Sequence, residues 1–480
     1  MDFEKQLATT VERLKGASED RQVIRIYTHV DADGLTAGAI LAKALLRARI
    51  PFQVRTLRQL EPKFLEQIAH NYRESPFLAV FTDFGSGQLP VIAGILPKTD
   101  VIICDHHELP PNIDHDFPFH LNPALFGHDG AKEVSAAGMS YFLARTLGSN
   151  NKDLAEIAIV GAIGDRQDGG EGHSVIGLNQ EIVKDGVEIG VIEVIQGIRL
   201  FGRETRPIAA ALSMSTEPYL RGLTGNQGAC ESLLRSIGIP TIDTHTNRPR
   251  TLNDLSQDET QTLMTSLVNF SVMNLNLDPR IVLDLIGTIY RFPHEPAGKP
   301  LRDAQEYATL LNSCGRTGRS DLGIAICLGD RQDALQEAEM VLSEYRKKMR
   351  DVLDSLEQGG KIRPLNNIYI FDAGDAIDEK MIGGICSVAL VTLPAEVPKP
   401  LIGVVNSDDD SVKISGRAPA QMVSLGIDLG VAMRATATEL GVEYPAGGHP
   451  AAAGAKVPTR MKEQFLELLD KKVGEMIGSR

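Results

Sequence analysis

The sequence predicts an α/β protein of more than one domain, and three observations carry that expectation. Between about Arg21 and Asp165, short apolar runs alternate with amphipathic stretches of helical length, as in a parallel, doubly wound sheet. From Arg331 to Gln358, Leu335, Ala338, Leu342, Tyr345, Met349, Val352 and Leu356 form one narrow apolar seam, which reads as a long connecting helix. Beyond Gly359-Gly360, a helix stop expected to act as a hinge, strand and helix patterns resume in a smaller α/β domain. The expected divisions are 1–199 for the first domain, 200–330 for an inserted, mostly helical region, 331–360 for the connecting helix and 361–480 for the last domain.

Within the first domain the expected strands are Val23–Tyr27, Phe52–Thr56, Phe77–Phe81, Val101–Cys104 and His120–Asn122. Helices are expected over Leu35–Ala48, Glu61–Tyr72, Ser135–Leu147 and Asp153–Ile163. In the inserted region, Ser256-Gln257-Asp258-Glu259 has the form of a capping box and opens a helix through Leu263, Leu267 and Phe270. The last domain shows strand patterns at Ile368–Phe371, Leu401–Val405 and Val412–Ile414, with helices near Met381–Val388 and Met422–Leu440.

The chain has 480 residues with 42% hydrophobic and 23% charged content, an ordinary globular composition. Its five cysteines are scattered without a Cys-x-x-Cys pair, which excludes a zinc ribbon and suits a reducing compartment. No apolar run is long enough for a membrane span and Met1–Lys5 does not open a signal peptide, so a cytoplasmic protein is expected. The net charge of −14 is unfavourable for bulk attraction to nucleic acid, so any phosphate-binding surface must be local.

Chemistry concentrates where apolar runs end. His29-Val30-Asp31-Ala32-Asp33-Gly34 follows the first strand, Asp83 the third, and Asp105-His106-His107 the fourth. Asp165 follows the helix-like run Ile157–Gly164. In an open α/β sheet the carboxyl ends of the strands line one crevice, so these groups converge there. Crowded carboxylates repel one another, and divalent cations relieve that repulsion. Carboxylate oxygens mixed with imidazole suit manganese or magnesium. Asp31 and Asp33 can face neighbouring cations, Asp83 can bridge them, and His106 with Asp165 completes the second position. Two such cations activate water for in-line attack on phosphorus. His107, pointing away from the ligands, can contact the scissile phosphate or protonate the leaving oxygen. For His29 and Asp105, direct ligation and orientation of a neighbouring ligand are both open.

In the last domain, Gly447-Gly448-His449 and Arg417 are candidates for holding phosphate through close backbone approach and a planar guanidinium. Arg316, in Asn312-Ser313-Cys314-Gly315-Arg316, faces either the cleft or solvent.

Taken in order, the four N-terminal motifs resemble the DHH phosphoesterase superfamily, and within it the RecJ-type branch. The stretch at Gly447-Gly448-His449 is similar to the signature of the accompanying DHHA1 domain. Phe81–Gly87, Leu121-Asn122-Pro123 and Leu311–Arg316 look most like archaeal RecJ-like proteins, a group that includes the GINS-associated nuclease. The resemblance implies a first DHH domain and a last DHHA1 domain, with two Mn2+ or Mg2+ ions as cofactors. It implies a metal set of His29, Asp31, Asp33, Asp83, His106 and Asp165, and a catalytic set of His107, Asp105 and Asp31. Arg316, Arg417, Gly447, Gly448 and His449 would bind substrate. The implied activity is 5′–3′ exonuclease action on single-stranded DNA, with 3′–5′ trimming of RNA in some relatives. GINS and the replicative helicase are the implied partners. Ala446 stands where the glycine triplet usual in DHHA1 begins, and His29 stands where bacterial RecJ proteins often carry aspartate. Two other readings remain: a hydrolase of short oligonucleotides or cyclic dinucleotides, and a replication scaffold with little catalysis.

Overall fold

A computed structural model describes residues 2–109, 117–215, 220, 222–275, 285–359, 362–379, 381–392, 398–407, 410–442, 444 and 446–478. The chain divides into two compact units, Met1–Leu342 and Ser343–Arg480.

The first unit is built on β1 (Ile24–His29), β2 (Phe52–Leu57), β3 (Leu78–Thr82), β4 (Val101–Cys104) and β5 (His120–Leu121). These form a five-stranded sheet in the order β2-β1-β3-β4-β5, with every pairing parallel. Leu78–Phe81 and Val101–Cys104 are all 0% exposed, because a parallel sheet is covered on both faces and needs unbroken apolar runs. One face carries the helices Phe3–Glu19, Ala32–Arg47, Ala136–Leu147 and Ala155–Gly164, meeting in a core that includes Leu14, Leu35, Ile40, Phe142 and Ile159. The other face packs Tyr27, Phe77 and Phe81 against Leu65 and Ile68 of Pro62–Glu74 and Ile92 of Leu89–Ile95.

This strand order places a topological switch at β1 and β3. After β1 the chain crosses to β2 on one side and then returns to β3 on the other, leaving a crevice at their carboxyl ends. The first strand ends at His29 rather than Tyr27, which puts the imidazole on the strand's last residue.

An antiparallel pair, β6 (Glu193–Ile198) and β7 (Ile286–Arg291), forms the stem of the inserted region. Between these strands, Ile208–Ser213, Gln227–Ser236 and Gln257–Leu275 enclose a separate core around Leu212, Leu234, Leu263 and Leu267. The capping box is made: Ser256 N–H donates to Glu259 Oε2 at 2.8 Å, and Glu259 N–H to Ser256 Oγ at 3.1 Å. After β7 the chain rejoins the first core through Tyr290, Phe292, Tyr307 and Leu310. The helices Ala304–Arg316 and Ser320–Leu328 follow, and then the long helix Asp333–Gly359.

That long helix carries the expected seam. Leu335, Ala338 and Leu342 are buried in the first unit's core, and Tyr345, Met349 and Val352 pack on apolar residues of the second unit. Gly359 is the helix's last residue, whereas Gly360, the other half of the expected hinge, lies outside the described residues.

The second unit is a six-stranded mixed sheet of β8 (Ile362–Pro364), β9 (Tyr369–Gly374), β10 (Leu401–Asn406), β11 (Ser411–Arg417), β12 (Ala446–His449) and β13 (Ala452–Pro458). One face packs on Leu429 and Met433 of Leu429–Glu439 and on Phe465 and Leu466 of Lys462–Gly478. The single helix expected over Met422–Leu440 is instead two, Ala420–Ser424 and Leu429–Glu439. Gly426 at φ 96° breaks the first, and the Asp428 carboxylate caps the second by accepting from Val431 N–H at 2.9 Å. Among the described residues no helix is long and apolar enough to cross a membrane.

Ile40 is fully buried on Ala32–Arg47, the helix whose N-terminus carries Asp31 and Asp33. Ile40→Ala is expected to cost about 2–5 kcal/mol, read as a lower urea midpoint for the first unit. A loss well under about 1 kcal/mol would contradict this packing.

Candidate metal centre

Asp31, at the turn leaving β1, accepts from Gly34 N–H at 3.0 Å and so caps the helix Ala32–Arg47. Its other oxygen lies 3.0 Å from His29 Nδ1. Asp33, one residue into that helix, is 2% exposed. Its two oxygens accept from Ala136 N–H and Ala137 N–H, both at 2.9 Å, at the start of Ala136–Leu147. A helix N-terminus stabilises negative charge, so this contact holds Asp33 in place.

Asp83 occupies the centre. It adopts φ 63°, a left-handed conformation uncommon for residues with side chains, immediately after β3. Its N–H still donates to Cys104 C=O at 3.0 Å, so the strand pairing continues while the carboxylate turns into the crevice. Oδ2 lies 3.3 Å from His29 Nδ1, and Oδ1 lies 3.3 Å from His106 Nε2 and 3.9 Å from His107 Nδ1. The two oxygens of one carboxylate therefore face two different groups of ligand atoms.

His106 joins the second group, with Nε2 3.6 Å from Asp33 Oδ2 and Nδ1 3.7 Å from Asp165 Oδ2. His106 Nδ1 also lies 2.7 Å from Gly130 C=O, a contact that assigns the ring proton to Nδ1 and leaves the Nε2 lone pair for a cation. Gly130 is required by the close approach: a Cβ there would stand 2.0 Å from the His106 carbonyl oxygen. Asp165 caps the C-terminal end of Ala155–Gly164, and Gln167 Nε2 donates to it at 3.0 Å. Asn179 in turn donates to Gln167 Oε1 at 2.8 Å.

Asp105 lies below this layer. It is 1% exposed, and its oxygens accept from Ser86 N–H at 2.9 Å, His106 N–H at 2.8 Å and His107 N–H at 3.2 Å. The His107 ring pairs with it through Nδ1 at 2.8 Å. The carboxylate thus orients His107 and stands apart from the groups that face the crevice. The His107 side chain is 56% exposed and turns toward Asp83, whereas the sequence reading pointed it away from the ligands.

Three sets of donors come close enough to hold cations: His29 with Asp31 and Asp83, Asp83 with His106 and His107, and Asp33 with His106 and Asp165. The electrostatics fit divalent cations. Burial, followed by the nearby Asp83 charge, pushes the Asp33 carboxyl up to about 8. Burial also lifts Asp165 to about 6, against the pull of His106. Burial alone would lower His106, but the Asp83, Asp33 and Asp165 carboxylates hold it well above the ordinary imidazole range. Protons crowd into this site because the carboxylates repel one another, and a cation can take their place.

Several partners of these residues carried no recognisable signal in the sequence. Gly130, Gln167 and Asn179 support His106 and Asp165 from separate loops and helices. Asn312 accepts from Ala32 N–H at 3.0 Å, and a Cβ on Gly315 would stand 1.8 Å from the Val30 carbonyl oxygen. The motif around Arg316 is thereby pressed against the turn that carries Asp31. Arg316 itself is the last residue of Ala304–Arg316 and is exposed.

Among the C-terminal candidates, Gly447, Gly448 and His449 lie with Ala446 in β12, extended and paired with β13. Gly447 and Gly448 take φ of 150° and 140°, and the Gly448 carbonyl packs against Gly430 so closely that a Cβ there would lie 2.1 Å away. Arg417 ends β11, with Nε 2.9 Å from Ser387 Oγ and a second nitrogen donating to Gly416 C=O at 2.8 Å. The guanidinium is therefore held by its own unit.

Comparison with known proteins agrees with this arrangement. The model of the DHH family N-terminal domain matches residues 23–163, that of the DHH-CID domain 200–282 and that of the DHHA1 domain 367–475. An uncharacterized protein of Methanocaldococcus jannaschii is 33% identical over 458 residues, covering 95% of this chain and 94% of its own. RecJ of Thermus thermophilus, solved with Mn2+, superposes with a TM-score of 0.59 at 18% identity. That match covers 98% of this chain and 55% of the RecJ chain. CDC45 of Entamoeba histolytica superposes with a TM-score of 0.64 at 12% identity, covering 97% of this chain and 99% of its own. At these identities the two structures establish a shared fold.

The raised carboxyls set a pH dependence. A carboxylate whose folded-state value exceeds its free value binds more protons when folded, so the stability it contributes is lost as pH rises. For Asp165 and Asp33 that loss runs from the free value near 3.8 up to about 6 and about 8. These groups therefore make the metal-free protein less stable as pH rises through that window. Mn2+ must displace the same protons, so its affinity is expected to rise between about pH 6 and 8, with proton release on binding. Calorimetric titrations in buffers of different ionisation enthalpy check both. Affinity independent of pH, without proton release, would contradict the assignment.

Proposed function

Because the chain belongs to the DHH/DHHA1 phosphoesterase superfamily, we propose that it is a two-metal-dependent phosphodiesterase acting as a 5′–3′ exonuclease on single-stranded DNA. Trimming of RNA from the 3′ end is included as a second activity of the same site. The observation that carries this reading is Asp83, whose two carboxylate oxygens face separate groups of imidazole and carboxylate ligands.

Bound Mn2+ or Mg2+ ions would supply an activated water and neutralise charge developing on the phosphate. The chain's own residues provide the geometry. His29 and Asp31 would hold one ion and Asp33, His106 and Asp165 the other, with Asp83 oxygens facing His29 and His106. Asp33 is immobilised by two backbone amides and His106 by the Gly130 carbonyl, so neither has to reorganise when substrate arrives. The Asp105 carboxylate fixes His107 through Nδ1, which leaves Nε2 to touch the scissile phosphate or give a proton to the leaving oxygen. Asp105 is on this reading a positioning residue. Arg316, Arg417, Gly447, Gly448 and His449 are assigned to holding the strand's phosphates.

A second reading is a replication scaffold that engages GINS and the helicase, suggested by the fold that the chain shares with CDC45. The two roles are compatible in one chain. The intact set of six metal-facing side chains supports catalysis in addition to any binding.

The test is a time course with Mn2+ on matched single-stranded DNA and RNA oligonucleotides labelled at either end. Immediate release of mononucleotide from the DNA 5′ label is expected, and Asp83→Asn is expected to abolish it while the far-UV spectrum stays native. His107→Ala should lower kcat by about 10²–10⁴-fold while Mn2+ binding persists. Cleavage confined to very short oligomers would redirect the assignment to a small-substrate hydrolase. Tight Mn2+ binding without any cleavage would leave the scaffold.

A further inference from the structure

A second group of imidazole and carboxylates lies away from the centre described above. Glu156, His294 and Glu295 each offer one ligand atom, and these atoms lie within 4.8 Å of one another. Glu156 stands in the first turn of Ala155–Gly164, and Asp165 caps the other end of that helix. Nine residues at 1.5 Å each separate them by about 14 Å. His294 and Glu295 belong to the turn that follows β7. His294 Nε2 is 3.1 Å from Glu156 Oε2 and 3.7 Å from Glu295 Oε1.

A second observation points to a ligand. Glu156 is 7% exposed, and its Oε1 is buried with no hydrogen-bond partner among the described residues. Leaving a charged oxygen buried and unpaired costs more than any typical hydrogen bond returns. Glu156 and His294 also line a cavity of about 260 Å³, together with Lys43, Asp153, Cys327 and Arg331. His294, Glu295 and Arg331 line a larger, more open space of about 670 Å³ beside it. Both have room for water molecules to complete a coordination sphere.

The cations nearby are for the most part already engaged with other carboxylates. Glu295 is matched by Arg331, whose Nε lies 2.8 Å from its Oε1. Lys299, on the cavity wall, pairs with Glu339 at 3.2 Å. Among the described residues the ion pair of Glu156 is with the imidazole of His294 at 3.1 Å, while Arg331 acts on it from farther off and Lys43 lines the same cavity. A cation bound by Glu156, His294 and Glu295 would take the place of the imidazole's proton and occupy the free oxygen.

We propose that Glu156, His294 and Glu295 form a separate site for one divalent transition-metal cation of the zinc class, completed by water from the adjoining cavity. One imidazole nitrogen with two carboxylate oxygens is the donor composition of the first centre as well, and three protein ligands with water match the low coordination number of Zn2+, which such a site binds more tightly than Mn2+. Bound there, the cation ties the turn after β7 to the N-terminal end of the helix that carries Asp165. The site is independent of the nuclease assignment, because none of its residues belongs to the first centre.

The test uses the full chain with Asp83→Asn and Asp165→Asn, which weakens the first centre, and Zn2+ as the probe. Calorimetric titration, with metal content measured after dialysis, is expected to show one retained Zn2+ per chain. Adding Glu156→Gln, which preserves shape, or His294→Gln should weaken that binding at least tenfold and remove the Zn2+-dependent rise in Tm. Co2+ should give visible absorption bands in the background protein that both substitutions abolish. Should one variant fail to fold by circular dichroism, the other carries the measurement. Absence of a retained Zn2+, or a retained Zn2+ indifferent to both substitutions, overturns the proposal.

Discussion

Asp33, Asp83 and Asp165 meet around His106 in a space where carboxylates at such separations cannot all stay ionised without a counter-charge. The rest of the first unit can be understood as the means of imposing that crowding. A parallel sheet delivers strand ends to one edge, and the switch at β1 and β3 opens the crevice there. Two further helices then finish the arrangement, one offering its N-terminal amides to Asp33 and the other ending on Asp165. The stability that the apolar faces supply holds a group of charges together that would otherwise separate. A cation bound there would offset this unfavourable electrostatic arrangement.

The sequence made the ligands legible but left most of their supports unseen. Asp83 and His106 stand out because each follows a fully apolar run, and such runs in an α/β pattern end at the crevice. The supports come from remote positions. The Gly130 carbonyl reaches His106 from 24 residues away, and Asn312 reaches Ala32 across 280. A single chain read in order offers no pattern for such pairings. The role of Asp105 was ambiguous for a related reason: only the three-dimensional arrangement shows its oxygens already taken by Ser86, His106 and His107.

In the second unit, local signals were weighed incorrectly. Gly426 interrupts the pattern from Met422 to Leu440, and with Asp428 two residues on it marks one helix stopping and another starting. The Gly447-Gly448 pair was read as a place of close backbone approach, without a secondary structure assigned to it. In the structure the pair lies in a hairpin strand, where a Cβ on Gly448 would stand 2.5 Å from the Ala452 carbonyl oxygen. The inserted region was legible through its capping box, while its antiparallel stem was not. β6 and β7 are separated by the whole insertion, and their pairing depends on tertiary closure.

The most direct test of the central claim is an anomalous difference map from crystals grown with Mn2+, recorded at the manganese edge. Two peaks about 3.5–4 Å apart, one on each side of the Asp83 carboxylate, are the predicted result. A single peak, or a pair that the Asp83 carboxylate does not bridge, would contradict the account of this centre.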